Sequence, residues 1–156
     1  MNTNCPFSYV RLRKYIEKDN EFYLNENKPI PWTIAFGHHS VYSTGTHGDS
    51  DLFTRIYWDW ILECRVDLYL PGHNHHLAHL QHGILPTDYL ISGAGSKNYR
   101  LPSEKEKLNK SAALSKYTYN DSGFFWIEIS RSNLYASFHD NEGNIINEYE
   151  RLKDTN

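Results

Sequence analysis

From Trp32 to Phe36 the chain reads WTIAF, a short apolar run rich in strand-favouring residues and bounded by Pro31 and Gly37. That pattern predicts a buried strand. A second run, VDLYL from Val66 to Leu70, is stopped by Pro71-Gly72 and predicts another. Between them, Leu52, Phe53, Ile56, Tyr57, Trp60, Ile61 and Cys64 recur at helical spacing, so a helix with one apolar stripe is expected, capped at its start by Ser50. Strand, helix and strand in this order make a βαβ unit, with parallel strands and a right-handed crossover.

Further along, LAHLQHG and TDYLISGAG read as strands, followed by the polar loop SKNYRLPSEKEKLNKSAALSK. SGFFWIEIS, NLYASFHD and NIINEYERL then alternate as strands do, which predicts an antiparallel meander over residues 123–151. Residues 1–30 are polar, with a weak helical pattern through Val10, Tyr15 and Ile16 that ends in the loop NENKPIP. With no repeat, low-complexity tract or composition break between globular parts, residues 1–156 read as a single domain. Its class is α/β with a mixed sheet.

Composition adds limits. Apolar residues make up 39% of the chain and aromatics 15%, so large rings must supply much of the core. A net charge of −3 and a pI near 6.3 argue against a general nucleic-acid or anionic-membrane binder. Cys5 and Cys64 fit neither a Cys-x-x-Cys metal motif nor a disulfide scaffold. No apolar run is long enough to span a membrane, and the start MNTNCPFSYVRLRK lacks the basic-then-apolar order of a signal peptide. The compartment is not readable from the sequence.

The histidines change the picture. Eight of the nine lie between His38 and His82. In open α/β sheets ligands sit at the carboxyl ends of parallel strands, and Gly37-His38 and Gly72-His73 each begin just past such an end. The two clusters are therefore expected to meet. His73 and His75 alternate in what reads as an extended loop, which would aim both rings to one side. With His38 converging on them, metal ligation is the expectation.

These residues resemble the calcineurin-like metallophosphoesterases, specifically purple acid phosphatases of the tartrate-resistant type. The resemblance runs over 32–96: a strand ending in GH, then VYS, then HG, a helix, VDLYLPGHNH, and a strand ending in SGAGS. It implies the carboxy-terminal half of a β-sandwich flanked by helices. It also implies a dinuclear metal centre, of iron with iron, zinc or manganese. His38 and His73 would bind the divalent ion and His75 the neighbouring, usually ferric, site. His47 would contact the phosphate and protonate the leaving group. His39 would line the pocket mouth as a substrate contact or stand exposed, and Asn74 would hydrogen-bond near the substrate, where relatives often carry Asp. Relatives are often secreted or lysosomal.

Blander roles are expected for His76, His79, His82 and His139, as packing or surface residues. Gly93 and Gly95 are expected to permit tight turning or close backbone approach. Lys97, Arg100, Lys105, Lys107, Lys110 and Lys116 form a basic loop that either steers anionic esters or is simply solvated.

The family's upstream motifs, with an early Asp, a bridging Asp and nearby Tyr, and an Asn, have no counterpart in the sequence. GDSD at Gly48 to Asp51 belongs to the His47 loop instead. Three histidines without the bridging carboxylate make at most a partial site. The inner sheet face is expected to expose apolar surface unless a partner, such as the missing amino-terminal half, covers it. The expected function is a metal-dependent phosphoesterase, an acid phosphatase acting on phosphate monoesters. The alternative is a truncated, non-enzymatic domain that binds a metal or a partner.

Overall fold

The parallel βαβ unit is present in the computed structural model, which describes residues 6–83, 85–97 and 111–153. β1 (Ile34–Gly37) pairs in parallel with β2 (Leu68–Pro71), Gly37 opposite Pro71, and α2 (Leu52–Leu62) lies between them in the chain. β3 (Leu77–Gln81), β4 (Asp88–Ser92) and β5 (Leu114–Tyr119) complete a mixed sheet of order β1-β2-β4-β3-β5. β6 (Gly123–Ile129), β7 (Asn133–Asp140) and β8 (Ile145–Leu152) form a second, antiparallel sheet, as the alternation predicted. β5 begins in the last three residues of the stretch read as polar loop and runs on through Tyr117 to Tyr119, which are strand-favouring residues.

α1 (Pro6–Asn25) turns the weak pattern near the amino terminus into a 20-residue helix. It is held by α2 more than by its own periodicity. The Arg13 guanidinium lies 4.5 Å over the Trp60 ring and pairs with Glu17 and Glu63, and Asn20 donates to the Cys64 carbonyl at 2.9 Å.

Three sequence expectations are corrected. β1 is an edge strand, with Phe36 82% exposed, because a short apolar run does not distinguish a buried strand from an edge. α2 is capped by Asp51, whose carboxylate accepts from the Thr54 amide at 3.1 Å, rather than by Ser50. And α2 buries Trp58, Ile61 and Leu62, leaving Leu52, Phe53, Ile56, Tyr57 and Trp60 of the expected stripe exposed. The helix is apolar most of the way round, so periodicity alone leaves its inward face undetermined.

The core has two layers. On one face of the mixed sheet, Trp58, Ile61 and Leu62 meet Tyr69, Leu80, Tyr89 and Ile91. On the other, Leu68, Leu77 and Leu90 meet Leu134, Ala136 and Phe138 of the second sheet. The chain's own meander therefore covers the inner face expected to be bare. Exposed aromatic surface lies on the outer side of β6, where Phe124 and Trp126 alternate with inward Phe125 and Ile127, as well as at Phe36 of β1 and Phe53 of α2. At the amino-terminal ends of β2 and β4, Asp88 accepts hydrogen bonds from His79 (2.8 Å), Gln81 (2.6 Å), Tyr149 (2.5 Å) and Arg151 (3.0 Å), which ties the two sheets together.

Candidate metal centre

Because Gly37 and Pro71 are register partners, the residues after each strand leave the sheet side by side. Three hydrogen bonds lock the two loops. The Gly72 amide donates to the His38 carbonyl at 3.1 Å, Ser40 Oγ to the Gly72 carbonyl at 3.2 Å, and Tyr69 OH, from inside β2, to the His39 carbonyl at 2.8 Å. The rings converge accordingly. His73 Nδ1 lies 3.2 Å from His38 Nε2, the His39 ring centre is 4.7 Å from that of His38 and 4.6 Å from that of His73, and the His47 ring is 4.9 Å from His73.

One nitrogen from each of His38, His39 and His73 lies within 4.8 Å of the others. Among the described residues this is the one such group of potential ligands. His75 stands outside it. The alternation argument that paired His73 with His75 assumes extended backbone, but His73 has φ +61°. The Asn74 amide donates to the Gly72 carbonyl at 2.7 Å and the His76 amide to the Asn74 carbonyl at 2.8 Å, so the loop is a succession of tight turns. A non-glycine residue in left-handed conformation is uncommon and clusters at functional sites.

The support beneath this loop comes from glycine. A Cβ on Gly93 would stand 1.9 Å from the Asn74 carbonyl oxygen, so close approach of the SGAGS and GHNH backbones requires Gly there. Gly95 has nothing within 4 Å of a built Cβ and needs no such freedom. Asn74 is 3% exposed, and its Oδ1 has no hydrogen-bond partner. It helps line a cleft of about 370 Å³ with His39, His47, Asp49, Thr54 and His73.

Electrostatics favour the neutral form of His73 and His76. Burial, and then the neighbouring imidazoles of His39, His47, His38 and His75, lower the His73 pKa, which keeps its lone pair available to a metal. His76 is buried beside Thr44, and burial pushes its pKa down to about 4. His79 bonds Asp88, His82 stacks on Tyr42 and His139 on Phe124. Of the basic loop, Arg100, Lys105, Lys107 and Lys110 lie outside the described residues.

Two supporting residues escaped the sequence reading. Asp49 accepts from the amides of Ser43 (2.9 Å) and Ala112 (2.8 Å) and faces Arg55 at 3.5 Å, shaping the loop that carries His47. Its signal was present, since Gly-Asp-Ser is turn chemistry. Tyr69 left none, as a tyrosine in a strand reads only as core.

No protein-family model matches the sequence. Purple acid phosphatase 17 of Arabidopsis thaliana is 34% identical over 142 residues, covering 91% of this chain and 40% of that protein. The chain belongs to the purple acid phosphatase family. Human tartrate-resistant acid phosphatase type 5 is 28% identical over 113 residues, covering 69% of this chain and 33% of its own. A purple acid phosphatase from yellow lupin seeds shares the fold, with a TM-score of 0.65 at 18% identity over 80% of this chain and 25% of that one. The chain thus spans about 40% or less of the length of these relatives.

Purple acid phosphatase relatives imply a dinuclear metal centre. Three imidazoles suit one zinc-like ion. They do not suit two, because the group of potential ligands includes no carboxylate to bridge a pair.

Proposed function

We propose that the complete protein to which these residues belong hydrolyses phosphate monoesters as a metal-dependent acid phosphatase. The observation that carries this reading is the convergence of His38, His73 and His47 just past the carboxyl ends of β1 and β2, in a purple acid phosphatase chain. In this reading His38 and His73 hold a divalent ion and His75 contributes to a neighbouring one, iron paired with iron, zinc or manganese. The remaining ligands come from an amino-terminal half outside these residues. When bound, the metals offset the negative charge of the ester and of its transition state.

The chain's own groups do the rest. His47 sits exposed at the cleft and reaches the ester's leaving side. As imidazolium it gives its proton to the departing alkoxide oxygen as the P–O bond breaks, the general-acid role that histidine side chains serve. Asn74 and His39 line the substrate side of the cleft, and Asn74 offers an amide to a phosphate oxygen or a hydroxyl. The partners in this reading are a phosphate ester and the missing half, with no nucleic acid or membrane. The net charge is −3, and no described helix is long and apolar enough to cross a membrane.

The absence of a carboxylate from the histidine group favours a second reading for the chain by itself, a non-enzymatic metal- or partner-binding domain. Hydrolysis of an aryl phosphate decides between them. Turnover that appears when a polypeptide carrying the upstream Asp, Tyr and Asn motifs is added, and falls in His47→Ala, supports the phosphatase. No turnover in any combination or metal supports the binding domain.

A further inference from the structure

We propose that this chain associates head to tail with a second copy of itself, the outer stripe of α1 in one copy lying across the outer face of the second sheet in the next. Both surfaces are remote from the histidines, and the proposal does not rest on the phosphatase reading.

Two complementary faces carry it. On α1, Leu12 and Ile16 turn toward the core and Asn20 toward α2. Arg11, Lys14 and Lys18 recur at helical spacing on the opposite side, and all three are exposed. Tyr15, 71% exposed, and Phe22, 52% exposed, share their stripe. On the second sheet, Phe125, Ile127, Leu134, Ala136 and Phe138 face inward, so their strand neighbours face out. There the register sets Glu128 and Glu150 directly on either side of Tyr135. Glu148 lies opposite Ser137, with Trp126 across the same row, and accepts from the Tyr135 hydroxyl. Among the described residues, none of these three cations and none of these three carboxylates forms an ion pair.

The spans match. Arg11 to Lys18 covers about 10 Å along a helix axis, and Glu128 to Glu150 covers about 10 Å across two inter-strand spacings. A helix laid across the strands sets the three cations against the three carboxylates. Tyr15 and Phe22 on one side and Trp126 on the other supply apolar area that a purely charged contact lacks. One copy cannot make this contact with itself. α1 packs with α2 on one side of the mixed sheet and the second sheet covers the other, so the two faces look in opposite directions. The contact is therefore heterologous and passes from copy to copy. Exposed ion pairs contribute little each and are screened by salt, so the association is weak and salt-sensitive.

The test is sedimentation of the purified chain over a concentration series. Expected is a mass that rises with concentration in about 50 mM NaCl and returns to the monomer in about 500 mM. Lys14→Glu with Lys18→Glu, and separately Glu148→Lys with Glu150→Lys, should each weaken association by about tenfold or more, by setting like charges face to face. The chain carrying all four reversals regains complementarity and should associate as the wild type does. Far-UV circular dichroism checks that each variant is folded. Where a reversal disturbs the fold, Lys14→Gln with Lys18→Gln makes the same test with neutral side chains. The inference is overturned if the wild-type chain stays monomeric at low salt, or if the folded four-fold variant does not associate. It is equally overturned if association is indifferent to salt or strengthened by it, as apolar contact through Phe36 at the edge of β1 would be.

Discussion

Gly93→Ala probes the support of the metal loop directly. Its Cβ would stand 1.9 Å from the Asn74 carbonyl oxygen and 2.7 Å from the carbonyl carbon, where ordinary contact begins near 3.4 Å. Both obstacles are backbone, so no side chain can swing away, and the loop carrying His73 and His75 must retreat by about 1.5 Å. Overpacking of this kind costs about 1–3 kcal/mol, a fall in Tm of roughly 2–12 °C for a chain of this size. If His73 and His75 are ligands as proposed, loss of the support behind them should also weaken Co²⁺ binding by about 10- to 100-fold. Gly95→Ala, two residues on, is the internal control. With nothing within 4 Å of its Cβ, it should be neutral or should stabilise by about 0.4–1 kcal/mol through the unfolded chain. Thermal melts and Co²⁺ titrations of the two variants decide the matter. If Gly93→Ala melts within about 1 °C of wild type with unchanged affinity, or Gly95→Ala is equally damaging, the steric argument is wrong.

Two other perturbations test the scaffold. Burial pushes the Asp88 carboxyl up, but hydrogen bonds from His79, Tyr149 and Gln81 outweigh it and the net shift is downward. Its stabilisation is therefore present above the unfolded value near 3.9 and lost as pH falls through the lower folded value. Urea midpoints should drop on acidification below about pH 4, and Asp88→Asn should lower the midpoint at pH 7, by about 3 kcal/mol or more, and flatten the acid limb. An acid limb identical in Asp88→Asn and wild type refutes the assignment. Tyr69→Phe removes the bond to the His39 carbonyl at a cost of about 1 kcal/mol in stability. In the metal-dependent reading its Co²⁺ affinity should also fall, and unchanged affinity would show that the loop carrying His38 is not held through Tyr69.

What the sequence carried well was order and termination. Pro71-Gly72 after VDLYL and Gly37 after WTIAF marked where strands end, and strand ends are where parallel sheets present ligands, so the meeting of His38 with His73 was legible before any coordinates. What it carried poorly was orientation. α2 is apolar on too many sides for periodicity to choose its inward face, and β1 reads the same whether buried or at an edge. The left-handed backbone of His73 opens a run of tight turns whose Asn74 and His75 backbone packs on Gly93, and neither feature has a local signature strong enough to cancel the inference from alternation. Tyr69 and Asp49 act through hydrogen bonds to residues 30 and 63 positions away, a distance at which residue type alone says nothing of the partner.

β1 is four residues long, joins the sheet only through β2 among the described residues, and leads straight into His38 and His39. The loop carrying His38 and His39 is thus mounted on the edge of the sheet, where local opening costs least. Fraying of that edge releases two imidazoles while β2, β4 and His73 stay in place. Hydrogen exchange of the backbone amides of residues 34–39 should then proceed by sub-global opening, at a rate set by one short strand, without unfolding the core that holds the rest.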